Sequence, residues 1–344
     1  MEDQRDLRQQ AAQQSAKQLR MDKYVYEYFA HSSYDDVFNK KGLKIVQAGE
    51  TSLQFKPTKD NDKFKTLEQA FNIILPSKCA PKKNHSLFRT RFLEAAYGKG
   101  SEFREITQLN SSALVALMCF YPVNDLNPIK ITLVADGTNH TLSLTELHLE
   151  KENPVYTPNR PSSIDIALYG KDVSSGDNVA LFLESKFGEY FGHKNCLAGK
   201  SYLCDYREIA KIQSEQNLLR DISFKADDSG VEVMGRTHSH YCDGIKQMIS
   251  HYIGSEKSYE LNQENRTIYL GTILFDFSSL APDSKNSLED YKTCYKGLAR
   301  ILNSIANNHK KDIRLIDDAF TYQEFFSNVG EFKLDEDVKE FYKL

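Results

Sequence analysis

Pro161-Ser162-Ser163-Ile164-Asp165, followed after 18 residues by Glu184-Ser185-Lys186, holds the residue types best suited to chemistry in this sequence. Two acids and a lysine so arranged suit metal-assisted attack on a phosphorus ester. Hard carboxylate oxygens with retained waters match Mg²⁺ or Mn²⁺. A neighbouring ammonium lowers the pKa of a metal-bound water, orients it, and clamps the charge of a pentavalent transition state. The triplet alone says little, because acid-x-Lys begins at five places: Glu184, Asp283, Asp290, Glu331 and Asp337. The competing reading is an ordinary solvent-facing pair at a strand end. What separates Glu184 from the other four is its context, the close of an apolar strand that pairs with the strand carrying Asp165.

That context comes from the surrounding elements. Val179-Ala180-Leu181-Phe182-Leu183 is a continuous apolar run, as expected of a central strand buried on both faces. Ile164–Tyr169 reads as its hairpin partner across the polar segment Gly170–Asp177. Side chains alternate along a strand, so Glu184 and Lys186 project to one face. Hairpin pairing then brings Asp165 beside Glu184 at the open end. Two carboxylates that close repel unless a cation lies between them.

Elsewhere the pattern alternates between strand and helix. Leu43–Phe55, residues 129–134 with 142–150, and Thr267–Phe277 read as strands, with Asp136-Gly137 a hairpin turn. Helical spacing appears at 64–75, 84–97, 202–219, 241–253 and 286–306. Ser101 is a candidate N-cap that places Glu102 and Glu105 in a first turn. Ala113–Phe120 reads as a buried helix closed by Tyr121-Pro122. Residues 1–31 form a polar, Gln/Ala-rich helical pattern with little apolar stripe. The expectation is an α/β fold, a mixed central sheet of four to five strands flanked by helices. It divides into an accessory region at 1–84, a core at 85–310 and a helical tail at 311–344.

Composition excludes more than it selects. At 344 residues, 40% hydrophobic and 27% charged, the chain can bury a sizeable core without disulfide or metal staples. Collagen-like, disulfide-scaffold and wholly disordered classes are excluded. The net charge of −4 does not advertise a polyanion binder, although a local basic face is hidden in such an average. Six cysteines without a close-spaced framework fit a reducing compartment. No apolar core follows Met1, and Ala113–Phe120 is too short to span a bilayer, so a cytoplasmic location without membrane contact is expected.

Weaker signals compete with plainer readings. Arg89, Arg91, Lys99, Arg104, Lys194, Lys200, Arg207 and Lys211 flank the acidic motif, with Tyr190, Phe191, Tyr202 and Tyr206 among them. They suit a groove for a phosphate backbone, or simply a solvated face. His193, Cys196, Cys204, His238, His240 and Cys242 are zinc-competent residue types, but no CxxC pair is present and scattered side chains are the expectation. His251 stands one helical turn after Gln247 and reads more simply as a surface histidine than as a site residue. Gly98-x-Gly100 lacks a full phosphate-loop pattern, and no GxSxG elbow occurs.

Several stretches share an order that resembles the PD-(D/E)XK nuclease superfamily, with its restriction-endonuclease-like fold. They are Gly98–Glu102, Ser111–Leu114, Ser163–Asp165, Leu183–Phe187 and Gly244–His251, together spanning roughly 85–305. More narrowly, the chain is similar to an uncharacterised bacterial group classed among restriction endonucleases. The resemblance implies that Asp165 and Glu184 bind a divalent metal, Mg²⁺ or Mn²⁺. It implies that Lys186 positions or activates water, that Glu102, in preference to Glu105, completes the site, and that Gln247 holds the lysine or the scissile phosphate. Two residues before Asp165 stands Ser163, and the family's proline is displaced here to Pro161. The implied activity is hydrolysis of DNA by a restriction-type endonuclease, with a homodimer suited to cutting two antiparallel strands. The alternatives are a repair, junction-resolving or RNA-cleaving nuclease of the same superfamily, or a catalytically silent nucleic-acid-binding or interaction module.

Overall fold

Apolar and polar residues alternate in β1 (Leu43–Gln47) and β2 (Leu53–Pro57), which pair as an antiparallel hairpin. The computed structural model describes residues 43–47, 53–57, 85–96, 106, 111–153, 162–188, 190, 196–198, 222–227, 230–235, 242–262, 266–278 and 284–344. The polar N-terminal pattern, the 64–75 and 202–219 helices and the Ser101 cap lie outside these residues.

Helix α1 (His85–Ala96) buries Phe88, Phe92, Ala95 and Ala96, one stripe at three- and four-residue spacing. Helix α2 (Ser112–Phe120) starts at the N-cap Ser111 and buries every residue from Ala113 to Phe120. A helix apolar all round belongs in a core, and that is where it sits.

The main sheet begins with β3 (Ile129–Ala135) and β4 (Thr138–Asn153). Asp136 and Gly137, at φ 50° and 70°, make the tight turn between them. β5 (Ser162–Asp172) and β6 (Asn178–Lys186) continue the antiparallel meander, and β5 is longer than the sequence pattern indicated. Between β6 and the next helix, β7 (Cys196–Ala198), β8 (Ile222–Asp227) and β9 (Gly230–Gly235) form a separate sheet in the order β7-β9-β8. This sheet was not anticipated, although apolar alternation on both sides of Asp228-Ser229-Gly230 is a hairpin signal.

Helix α3 (Cys242–Asn262) leads to β10 (Thr267–Leu274), which runs parallel to β6. Helix α4 (Ser284–Asn308) then crosses to β11 (Ile313–Leu315), parallel to β10. β12 (Phe320–Thr321) also pairs with β10, and helices α5 (Tyr322–Asn328) and α6 (Glu336–Tyr342) close the chain. The segment after Asp312 is therefore more than a helical tail, since it adds two strands to the sheet.

The result is a mixed α/β architecture with strand order β11-β10-β6-β5-β4-β3. Six strands lie on this path and a seventh, β12, beside it, which exceeds the four to five expected. The short strands after α4 carry too little alternation to be legible alone. The sheet curls until its edges meet: Ala135 bridges Ile316, and Asp317 N–H donates to Val134 O at 2.8 Å. The Asp317 carboxylate accepts the N–H groups of Asp136 and Gly137, each at 2.8 Å, which ties the first turn to the last strands.

Central β6 is buried from Val179 to Lys186, as its apolar run required. On one face Ser185 Oγ donates to Ser112 O of α2 and contacts the Tyr322 hydroxyl of α5. On the other, Glu184 meets α3. At Gly170 the backbones of β4 and β5 leave no room for a side chain. A Cβ there would lie 1.9 Å from Ser143 O and 2.7 Å from Leu144 Cα, beside the register shift between Leu144 and Glu146. Gly170→Ala is expected to destabilise by about 1–3 kcal/mol, because backbone rather than a side-chain tip must move. At Gly271 the nearest atoms are the side-chain ends of Ile316 and Leu183, so Gly271→Ala should cost less. Urea midpoints of the two variants test the ranking.

Candidate functional site

The antiparallel register of β5 and β6 pairs Ile166 with Leu183 and ends there. One step further toward the open end stand Asp165 and Glu184. The ladder is replaced at this point by a side chain, as Asp165 Oδ2 accepts the Ser185 N–H at 2.7 Å. Lys186, two residues beyond Glu184 and on the same face, donates from Nζ to Glu184 Oε1 at 2.6 Å. Helix α3 adds two side chains one turn apart. Gln247 Oε1 accepts from Lys186 Nζ at 2.8 Å, and His251 Nε2 lies 2.6 Å from Glu184 Oε2. Four residues singled out in the sequence, Asp165, Glu184, Lys186 and Gln247, are thus brought to one end of the sheet.

The two carboxylates are pushed in opposite directions. Burial works to raise Glu184, which is 2% exposed, but the Lys186 ammonium and the His251 hydrogen bond outweigh it and bring its pKa down to about 2. Asp165 is pushed well above the ordinary carboxylate range, first by burial and then by the charges of Glu184 and Glu150. Lys186 and the Ser185 N–H oppose that rise without cancelling it. The phenol of Tyr291, from α4, is raised to about 12 by burial and feels both Lys186 and Glu184, so it borders the same group. Carboxylates separated in this way mark a candidate functional site.

Two further residues belong to this group, His251, for which the sequence favoured a surface reading, and Glu150, which it did not single out. His251 is not a surface histidine: it is 3% exposed, wedged between Glu184 and Ser162 Oγ, which lies 2.5 Å from its Nδ1. Its position four residues after Gln247 was the available signal, because such residues share a helix face. Glu150 is buried and stands opposite Asp165 in the register that pairs Leu149 with Ile166 and Lys151 with Ile164. Its φ of 52° is left-handed, which costs a residue with a Cβ about 1–2 kcal/mol. Only the strand register reveals it, because Glu150 and Asp165 are distant in sequence.

Other expectations divide. Glu102, with Glu105, lies outside the described residues, as do Lys99, Arg104, Lys194, Lys200, Arg207, Lys211, Phe191, Tyr202 and Tyr206. Arg91 is committed to the fold. It is partly buried, donating to Leu147 O and pairing with Glu94 at 3.0 Å. Tyr190 is 1% exposed and donates to Phe275 O at 2.6 Å, so it is a core residue and not a stacking platform. The side chains of His193, Cys196, Cys204, His238, His240 and Cys242 lie outside the described residues.

Chemically, the group offers hard carboxylate oxygens beside a fixed ammonium. Among the described residues no cluster of three or more His, Cys, Asp or Glu is arranged to hold a metal ion. A cation here would take oxygens from Asp165 and Glu184 and fill its remaining positions from water or a ligand. No helix among the described residues is long and apolar enough to cross a membrane. No family model, curated protein or solved structure matches the chain.

Proposed function

We propose that this protein is a metal-dependent nuclease of restriction-endonuclease-like fold that hydrolyses phosphodiester bonds of DNA. The observation that carries the reading is the convergence of Asp165, Glu184 and Lys186 at one end of the sheet, with Lys186 Nζ held by Glu184 at 2.6 Å and Gln247 at 2.8 Å. Two repelling carboxylates, one with its pKa pushed up first by burial and then by the charge of the other, form a donor set that a divalent cation relieves. Mg²⁺ suits it because that ion is commonly held by one or two carboxylates together with water and substrate phosphate.

Asp165 and Glu184 would hold the ion. When bound, it supplies Lewis-acid stabilisation of the charge that gathers on the phosphoryl oxygens. The chain's own part is positioning. Lys186 would set its ammonium charge beside the attacking water and the phosphate, and Gln247 fixes the direction of Nζ. As the water oxygen bonds to phosphorus in line it passes a proton to solvent, the bond from phosphorus to the sugar oxygen breaks, and that oxygen takes a proton from solvent. Cutting both strands would call for two copies of the site, which a homodimer provides.

The test is incubation of supercoiled plasmid and unmodified phage DNA with purified protein and Mg²⁺, Mn²⁺ or EDTA, alongside Lys186→Met. Metal-dependent cleavage that falls by about 10²-fold in the variant is the expected outcome. Discrete bands would support a restriction-type enzyme, whereas nicking or smearing would favour a repair or junction nuclease. Cleavage of RNA alone would change the substrate class. Absence of any cleavage would leave a silent binding module as the better reading.

A further inference from the structure

A line of short polar contacts passes through Glu184 and continues beyond the residues given a part above. Ser162 Oγ lies 2.5 Å from His251 Nδ1, and His251 Nε2 lies 2.6 Å from Glu184 Oε2. All three residues are buried, with Ser162 9% and His251 3% exposed. Ser162 is itself fixed in the sheet opposite Asn153, and His251 is fixed on α3.

The direction of these bonds follows from the groups. An ionised carboxylate only accepts, so His251 Nε2 carries the hydrogen that points at Oε2. In the neutral ring Nδ1 accepts from the Ser162 hydroxyl, and in the cation it donates to the hydroxyl oxygen. The bond to Glu184 is the same in both forms. Glu184 is therefore held at each oxygen by a donor from a different element, Lys186 on its own strand and His251 on α3. The last torsion of a glutamate is intrinsically broad. With only Lys186 present, the carboxylate could swing and still keep its charge partner. Two donors at opposite oxygens fix its plane, and each oxygen keeps a lone pair for another ligand.

The geometry points to His251, braced by Ser162, as the positioning residue that sets the plane of the Glu184 carboxylate for cation binding. This inference rests on the nuclease reading of the same residues. Partners that orient metal-binding side chains commonly contribute 10–100-fold to metal affinity or activity.

The experiment compares wild type with His251→Leu, His251→Gln and Ser162→Ala. It measures the Mn²⁺-dependent rise in melting temperature without DNA, then the Mg²⁺ concentration for half-maximal cleavage. His251→Leu should need about 10–100-fold more metal in both measurements, with the KM for DNA little changed. His251→Gln keeps an N–H near the Nε2 position and should recover most of the loss. Ser162→Ala should shift in the same direction by less, and it carries the test if His251→Leu does not fold. A folded His251→Leu with wild-type metal dependence overturns the inference alone, as does a Gln variant no better than Leu. A wild type that neither responds to metal nor cleaves overturns the nuclease reading and this inference with it.

Discussion

Asp165→Asn is expected to give a protein that melts above wild type at neutral pH and cleaves DNA at least about 10²–10³-fold more slowly. Burial and the charges of Glu184 and Glu150 push the Asp165 pKa well above its ordinary value. The folded state thus holds the proton more tightly than the unfolded chain does. The associated stability is full below the unfolded value of about 3.9 and is lost as pH rises through the raised folded pKa. Above that unfolded value an acid at this place is therefore a liability to the fold. The asparagine amide removes the acid, and its oxygen can still accept the Ser185 N–H that Asp165 Oδ2 accepts at 2.7 Å. Melting in EDTA from about pH 4 to 8 should show the variant's advantage growing with pH. Mg²⁺ or Mn²⁺ should then raise the melting temperature of wild type and not of the variant. A variant that melts below wild type at every pH would remove the electrostatic argument for this site.

Glu184→Ala should act with the opposite sign, destabilising by roughly 3–5 kcal/mol, the range for breaking a buried ion pair from one side. Glu184 is buried and accepts from Lys186 and His251 at 2.6 Å each, so its removal takes the carboxylate away from a buried ammonium and a buried imidazole. Its pKa is brought to about 2 against the effect of burial. The stability linked to it is present above the unfolded value of about 4.3 and fades as pH falls toward that low folded value. The gap between wild type and variant should accordingly narrow below about pH 4 in urea titrations. Adding Lys186→Met removes the ammonium that has lost its counter-charge, so the double variant should be more stable than the sum of the single losses. Strict additivity would mean that the contact between Glu184 and Lys186 carries no coupling energy.

Much of the framework was legible because strand and helix periods are local. The apolar run Val179–Leu183 announced a strand buried on both faces, and β6 is such a strand. Alternation put Glu184 and Lys186 on one face, and the hairpin put Asp165 at the same end. Ala113–Phe120 announced a helix apolar all round, which α2 is. The small sheet of β7, β8 and β9 was less legible, as its strands are three to six residues long. β11 and β12, of three and two residues, are too short for any period to emerge, and the partner β10 alone makes them strands.

By itself the sequence determined the alternation of elements, the candidate acid, acid and lysine set, and the face on which Glu184 and Lys186 stand. Those follow from local periodicity and from the spacing of residues within one hairpin. Tertiary structure alone decided that His251 grips Glu184 instead of facing water, that Glu150 stands opposite Asp165, and that Arg91 and Tyr190 turn inward. It also decided that the two edges of the sheet meet at Ala135 and Ile316. Each of these depends on residues far apart in the chain arriving at one place. Burial and charge at that place, which no local pattern encodes, then push Asp165 and Glu184 in opposite directions.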